Sequence, residues 1–423
     1  MSSLQDWLTR LERLHPSEIE LGLERVSSVA AALGVQKPAP TVITVAGTNG
    51  KGSCVATMEA LLCRAGYSVG AYSSPHLLRF NERIRINGEE VSDQQLVESF
   101  VAVEAARGET SLTYFEFTTL AALWLYQRMK VQYALLEVGL GGRLDAVNLV
   151  DADLAIITSV AVDHEDWLGS DREVIGREKA GILRPGAPFV CADSSPPQSV
   201  LSASEKQASS SYFIGQDFNI SSSGESEIYH FGDLVLSIPD ITLPRPSIAA
   251  GLTALTLLDA LPQEGIEAAL AQIALPGRCQ QVYWRERNLL LDVGHNPAAA
   301  EHLATWLKAN PVEGKTHALV AAMEDKDLVG LFAPLRKLVD RWHPALLPEN
   351  GRAAEGEALC AGLLEAGVDE TNVDRRCPTV AEGLRQLMPT LNPQDRLLVY
   401  GSFFTVAEVL QQMRDEGNGE LRG

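Results

Sequence analysis

"VITVAGTNGKGSCVATMEALL", residues 42–62, joins an apolar run to a glycine-rich turn, a lysine and a helical pattern. Two readings compete: a cradle for nucleotide phosphates, or a tight turn between a strand and a helix. The general phosphate-loop pattern requires a glycine five residues before the Gly-Lys pair and Ser or Thr directly after the lysine. Val45 stands at the first place and Gly52 at the second, with Ser53 one residue later. The strict pattern fails, so the rest of the chain has to decide. Gly47, Gly50 and Gly52 still let backbone approach an anion closely, and a following helix N-terminus favours negative charge. Lys51 would then reach the β- and γ-phosphates.

The surrounding chain repeats a strand–turn–helix theme. Residues 41–45 read as a buried strand, and Val55, Met58, Leu62 and Ala65 fall at helical spacing with Gly66 as a stop. Residues 67–72 give a second strand. "VQYALLEV" (131–138) and "LAIITSV" (154–160) are continuous apolar runs, as expected of parallel strands covered on both faces. Helical stretches at 117–129 and 172–183 alternate with them. The pattern predicts an α/β fold whose N-terminal domain is P-loop ATPase-like, with a mostly parallel sheet and ligands at the carboxyl ends of its strands. From 194 to 226 the chain is serine-rich, which predicts surface loops, with hairpin strands at 213–220 and 234–238. A helix is expected over 247–261. "LPGRCQ" (275–280) then marks a boundary. Strands at 289–293, 317–322 and 396–400 and a helix at 298–307 predict a smaller, Rossmann-like α/β domain. The expected division is 1–276, a linker at 277–286, and 287–423.

Composition narrows the class. The 423 residues are 46% hydrophobic and 21% charged, which is ordinary for a globular protein of two or three domains. No uninterrupted apolar stretch approaches the ~18 residues of a membrane span. Asp6, Arg10, Glu12, Arg13 and Glu18 interrupt the first thirty residues, so no signal-peptide apolar region is expected. Six scattered cysteines without a Cys-x-x-Cys pair read as reduced thiols in a cytoplasmic protein. A net charge of −20 argues against a nucleic-acid surface and requires that positive groups be concentrated wherever an anion binds.

Further polar motifs follow the apolar strands. "LLEVGLGGRLDAVN" (135–148) sets Glu137 near a strand end, where an acid is costly unless paired or metal-bound. A Mg²⁺ ligand is one reading, since hard cations take oxygen ligands; an acid bonded to loop amides is the other. "TSVAVDHEDWLG" (158–169) sets Asp163, His164, Glu165 and Asp166 after the next strand, as ligands or as solvated residues. "SSPHL" (73–77) offers Ser74 as a hydroxyl ligand or as a helix cap before Pro75. Lys179, in "GREKAGILRPG" (176–186), taken alone reads as a surface lysine. In the second domain "LLLDVGHNPAAAE" (289–301) puts Asp292, His295 and Asn296 on a strand-to-helix turn opened by Pro297, which suggests a cleft between domains.

With these residues in hand, the chain resembles the Mur ligase superfamily and, within it, the bifunctional bacterial dihydrofolate synthase/folylpolyglutamate synthase family. That family's phosphate loop is shorter than the general one, and "GTNGKGS" (47–53) matches it. The resemblance runs in order through "ELGLERV" (20–26), "YSSPHL", "LTYFEFTTLAAL" (112–123), "EVGLGGRLDA", "DHEDWLG", "GREKAGI", "LPGR" and "DVGHNP". It implies that Thr48, Asn49, Gly50, Lys51, Gly52 and Ser53 bind ATP, with Ser247, Arg278 and Asp292. Ser74 and Glu137 would ligate one Mg²⁺ and His164 a second. Lys179 matches a lysine carried as an N6-carboxylated side chain; a carbamate binds metals that an ammonium would repel. Glu20, Leu21, Gly22, Leu23, Thr113, Tyr114, Phe115, Glu116, Arg143 and Asp145 match substrate-holding positions, with Glu20 and Glu116 placed to accept pterin N–H bonds. A turn at Gly22 and a plain helix start at 113–116 are the structural alternatives. Lys51, His164, Lys179 and His295 are the residues with implied catalytic roles, and His295 and Asn296 match the glutamate side. Two departures stand out: Ser247, where the family often has Asn, and Phe404, where close relatives often show His.

The implied chemistry is ATP-driven amide formation through an acyl phosphate, with two Mg²⁺ and a monovalent cation as expected cofactors. The expected partners are small molecules: dihydropteroate, tetrahydrofolate polyglutamates, L-glutamate and ATP. Neither nucleic acid nor membrane is expected, and the chain is expected to be a monomer. A cell-wall Mur ligase is disfavoured because only about forty residues precede the loop, too few for a UDP-binding domain. A GTPase switch is disfavoured because no Asn-Lys-x-Asp motif is present.

Overall fold

The two apolar runs predicted as covered strands form the middle of a sheet because no alternation of polar residues offers either face to water. The computed structural model describes residues 3–15, 20–223 and 226–416. The chain divides into two compact units, Met1–Ile273 and Ala274–Gly423.

In the first unit, eight strands run in chain order as β1 (Thr41–Ala46), β2 (Val69–Tyr72), β3 (Ile84–Ile86), β4 (Glu89–Glu90), β5 (Tyr133–Glu137), β6 (Leu154–Ile157), β7 (Phe189–Cys191) and β8 (Ser211–Phe213). Their order across the sheet is β4-β3-β2-β5-β1-β6-β7-β8. β1 pairs in parallel with β5 and β6, and only the pairings of β3 with β2 and β4 at one edge are antiparallel. Every residue of β5 is buried, as is every residue of β1 but the first. On one face Val42, Ala46, Ala134 and Leu136 join Phe117, Leu120 and Ala121 of the helix Tyr114–Met129 in a single core. On the other, the helix Lys51–Arg64 lies against β1, β2 and β5, and the helix Arg245–Leu257 against β6 and β7. Thr113 caps Tyr114–Met129 in a reciprocal box with Glu116, which moves its start three residues ahead of the apolar periodicity.

The serine-rich stretch departs from expectation. Residues 198–207 form the helix Gln198–Gln207, because Val200 and Ser204 fall on one buried face and Ser204 Oγ donates to the Leu201 carbonyl. The predicted hairpin strand 213–220 straddles the end of β8 and the start of β9 (Phe218–Ser223). β9, β10 (Ser226–Phe231) and β11 (Leu234–Ile238) make a three-stranded antiparallel sheet. Gly224 and Glu225, in the second serine run, lie outside the described residues.

The second unit holds β12 (Gln280–Trp284), β13 (Arg287–Asp292), β14 (Thr316–Val320), β15 (Arg341–Pro344) and β16 (Arg396–Tyr400), ordered β12-β13-β16-β14-β15. β13, β16, β14 and β15 are parallel and β12 is antiparallel. The stretch 277–286, expected as a linker, thus supplies an edge strand. The two strands of this unit that the sequence pattern did not predict, β12 and β15, are edges, where charged residues and proline are tolerated; in the first unit the short β3, β4, β7 and β10 were likewise not predicted. Among the described residues no helix is long and apolar enough to cross a membrane.

Leu135 is fully buried at the middle of β5, between β2 and β1. Leu135→Ala should lower the unfolding free energy of the first unit by about 2–5 kcal/mol, measured by urea denaturation. A loss below about 1 kcal/mol would mean that the strand is not at the core.

Candidate active site

The loop between β1 and the helix Lys51–Arg64 is tied to the segment that follows β6. Thr48 N donates to the Ser159 carbonyl at 2.8 Å, and Thr48 Oγ1 bonds both the carbonyl and the N–H of Ala161 at 3.0 Å. Asn49 N donates to Ser159 Oγ at 2.9 Å, and Thr158 Oγ1 donates to the Asn49 carbonyl at 2.7 Å. Two glycines are demanded by these neighbours. Gly47 (φ +154°) has Thr158 Oγ1 where a Cβ would go, and Gly50 (φ +84°) has Ser247 Oγ there. Gly50 is also the helix N-cap and carries no side chain to cap it, and the amides of a first helical turn have no partner within their own helix, an arrangement that favours an anion. Lys51 Nζ folds back to the carbonyls of Gly47 at 3.0 Å and Thr48 at 3.2 Å. Ser53 is buried behind the loop.

Ser247, expected among the ATP-binding residues, lies against the phosphate loop at Gly50. Thr158 and Ser159, which hold the loop, escaped the sequence reading although their motif was quoted. The signal was two hydroxyls directly after an apolar strand. What made them matter is the adjacency of β1 and β6, which no local pattern encodes.

Glu137 ends β5 and is only 4% exposed. Its carboxylate faces Gly52 in the first helical turn, 3.5 Å from where a Cβ would stand, and accepts a bond from Ser74 N at 3.4 Å. Glu137 and Ser74 thus meet at the helix N-terminus, where the helix dipole favours an ionised acid. Burial, reinforced by the charge of Glu137, pushes the neighbouring Cys54 thiol far up.

Lys179 does not behave as a surface lysine. It is 3% exposed on the helix Arg172–Ala180. Burial first, then the charge of Lys51, brings its ammonium down to about 7, while Asp163 and Asp145 oppose that shift. The glycine turn of residues 139–142 makes the burial possible, because a Cβ on Gly142 would press within 3.0 Å of the Glu178 carbonyl and Lys179 Cα. Arg143 pairs with Glu178 at 2.9 Å, and its N–H bonds the Glu178 carbonyl. Asp145 accepts from Leu140 N at 2.8 Å and Val147 N at 3.0 Å, and burial raises its carboxyl to about 6. Both expected substrate residues therefore also brace the turn that encloses Lys179.

His164 is exposed and has φ +55°, a left-handed conformation uncommon for residues other than glycine. Its N–H donates to Asp163 Oδ1 at 2.8 Å, and it opens the short helix Glu165–Leu168. The Asp166 side chain is outside the described ones. Among the described residues no three His, Cys, Asp or Glu side chains form a metal cluster.

The two expected pterin segments also touch. Residues 20–23 are the irregular entry to the helix Glu24–Leu33, with Gly22 outside any helix and Leu21 and Leu23 half-buried. Phe115 packs on Gly139 and tilts against Tyr72 at 5.8 Å, while Tyr114 meets Phe80 edge-on at 6.1 Å. Glu116 is buried, with Oε2 accepting from Thr113 N at 2.7 Å and Oε1 from Arg25 Nη2 at 3.1 Å. Each of its oxygens thus accepts a bond within the protein, and Glu116 also serves as a strut between Thr113 and Arg25.

In the second unit the motif residues gather at the end of β13. Asp292 accepts from Cys279 N at 2.9 Å and Gly294 N at 2.8 Å, and Asn296 caps the helix Pro297–Ala309 through Ala299 N at 3.0 Å. Phe403 joins the others: Arg278 lies 5.1 Å from its ring centroid and the His295 ring 6.0 Å away. Phe404, the departure from the family pattern, is exposed instead.

A family model described as Mur ligase, glutamate ligase domain, matches residues 277–403. The chain is 43% identical, over 97% of its length and 95% of the relative's, to the dihydrofolate synthase/folylpolyglutamate synthase of Escherichia coli (strain K12). It aligns with E. coli FolC in complex with DHPP and ADP at a TM-score of 0.91 and 42% identity, covering 98% of each chain. With the bifunctional folylpolyglutamate synthase/dihydrofolate synthase from Yersinia pestis, complexed with AMPPNP and Mn ion, the TM-score is 0.89 at 43% identity, again over 98% of each chain. Similarity of sequence and fold along nearly the whole of both chains means that this protein belongs to the dihydrofolate synthase/folylpolyglutamate synthase family of Mur ligases.

Proposed function

We infer that the chain is an ATP-dependent ligase that joins L-glutamate to 7,8-dihydropteroate, forming dihydrofolate, and adds further glutamates to tetrahydrofolates. The observation that carries this reading is a glycine-lysine loop at a helix N-terminus, beside a buried acid, in a chain similar throughout its length to enzymes named for both activities.

The substrate carboxylate attacks the γ-phosphorus of ATP, giving an acyl phosphate and ADP. The glutamate amine attacks the acyl carbonyl, phosphate leaves, and the amine gives up a proton. We assign the phosphates to residues 48–53. Lys51 would exchange its two carbonyl contacts for phosphate oxygens, and the amides of the first helical turn would orient them. Ser247 shapes the loop through Gly50, and Arg278 and Asp292 are assigned to ATP. A divalent cation fits the residues present: the buried carboxylate of Glu137 and the hydroxyl of Ser74, whose backbone N–H bonds that carboxylate, are hard oxygen groups of the kind Mg²⁺ prefers. Ser74 and Glu137 would hold one Mg²⁺ and His164 a second, and these ions supply neutralisation of charge on the transferring phosphoryl group. His295 and Asn296 are assigned to the glutamate side. Lys179 is assigned as a carbamate: its neutral amine adds to CO₂ and releases a proton, turning a buried cation into an anion. A cytoplasmic setting is supported by six free cysteines, and a monomer by the net charge of −20, which opposes self-association.

Incubating the protein with Mg-ATP, glutamate and either dihydropteroate or a tetrahydrofolate should release ADP only when both organic substrates are present. Mass spectrometry should find one added glutamyl group on each. Release independent of the pterin would point to a plain ATPase.

Lys51→Ala should lower kcat at least about 100-fold, roughly 3 kcal/mol of transition-state stabilisation, with an unchanged circular dichroism spectrum. Activity above about a tenth of wild type would remove the loop from the chemistry.

For Lys179, isotope-labelled bicarbonate should give a carbamate carbon resonance that Lys179→Ala lacks, and short carboxylates should partly restore the variant's activity. Since the ammonium loses its proton as pH rises through about 7, bicarbonate activation should grow from pH 6 to pH 8. Activation that falls over this interval would exclude the carbamate.

A further inference from the structure

Arg25 stands between the two segments assigned to the pterin. It occupies the first turn of the helix Glu24–Leu33, whose N-cap, Leu23, provides no side-chain cap. One guanidinium nitrogen, Nη1, pairs with Glu20 Oε1, and the other, Nη2, pairs with Glu116 Oε1 at 3.1 Å and bonds the Glu20 carbonyl at 3.3 Å. His15 Nε2 lies 3.2 Å from the second Glu20 oxygen. Glu116 is 3% exposed and completes the capping box of the helix that carries Tyr114 and Phe115. A buried carboxylate of this kind needs a cation, and a planar guanidinium can serve two acids at once where an ammonium on a flexible stem cannot.

We propose that Arg25 is a positioning residue for the pterin substrate, tying the irregular segment 20–23 to the aromatic start of the helix Tyr114–Met129. This rests on the proposed function, which assigns the pterin to those two segments. Glu20 and Glu116 are then the anchors of this frame, and Arg25 is the residue that sets the distance between them. Segment 20–22 belongs to no helix or strand, so the Arg25 bonds to the Glu20 side chain and carbonyl are a substantial part of what fixes its path. Arg25 contributes nothing to the phosphate loop, so its loss should weaken one substrate selectively.

The test is steady-state kinetics of Arg25→Ala and Arg25→Lys with dihydropteroate, ATP and glutamate varied in turn. Both variants should raise KM for dihydropteroate about tenfold or more, change kcat by less than about threefold and leave KM for ATP at the wild-type value. The lysine variant keeps a cation beside Glu116 and should melt closer to wild type than the alanine variant, yet fail to recover KM because it cannot bridge both acids. If the alanine variant does not fold, the lysine variant decides. A dihydropteroate KM within about twofold of wild type in a folded variant overturns the proposal, as does an equal rise in all three KM values, which would mark a merely structural salt bridge. A wild-type protein that does not ligate dihydropteroate at all removes the assigned function and, with it, this role for Arg25.

Discussion

Burial of both faces of the parallel sheet is the constraint from which the rest of the first unit follows. Strands such as Tyr133–Glu137 have no exposed face on which to place a polar side chain, so charge is confined to the strand ends. At the carboxyl end the cost of desolvation can be offset by helix N-termini, loop amides and opposite charges. Glu137 and Lys179 sit in that rim at 4% and 3% exposure, deeper than surface ion pairs. Their burial makes them strong electrostatic features, and the depressed ammonium of Lys179 shows how costly its charged form is there.

The phosphate loop illustrates how such a rim is made rigid. This short loop is held by hydroxyls from elsewhere, those of Thr158 and Ser159 just after β6, while Ser247 of the helix Arg245–Leu257 packs against Gly50. Gly47 and Gly50 are glycines because those hydroxyls occupy the Cβ positions, while the general motif misses the loop because Val45 and Gly52 stand where it requires Gly and Ser or Thr. The same economy recurs in residues 139–145, where Gly142 admits the Lys179 helix and Arg143 and Asp145 pin the turn. Several residues expected to touch ligands thus also hold the backbone that would present them.

The second unit repeats the logic with other chemistry. Asp292 closes β13 and is satisfied by the N–H groups of Cys279 and Gly294, which fixes the turn leading to His295 and Asn296. Phe403 adds an aromatic surface to which both Arg278 and His295 are drawn. Cation–ring attraction of this type orients a guanidinium without neutralising it, leaving its charge for an anion.

The sequence by itself determined the alternation of covered strands and helices, the glycine-lysine loop, the acids and histidines after the strands, and the ordered motifs that carry the family resemblance. These are local signals: apolar runs, helical spacing and short polar turns are written in consecutive residues. It did not reveal the edge strands β12 and β15, where burial is one-sided, or the helix inside the serine-rich run, whose buried face rests on two residues. Nor did it show that Glu116 is bonded to Thr113 and Arg25. Only the tertiary structure decided that Lys179 is buried, that Thr158 and Ser159 bond the loop and Ser247 packs against it, and that Arg25 reaches Glu116, 91 residues further along the chain. The physical reason is the same for each. The energy of a charged or hydroxyl side chain depends on what surrounds it, and those neighbours are set by the order of strands in the sheet and the packing of helices on it, not by the residues adjacent in the chain.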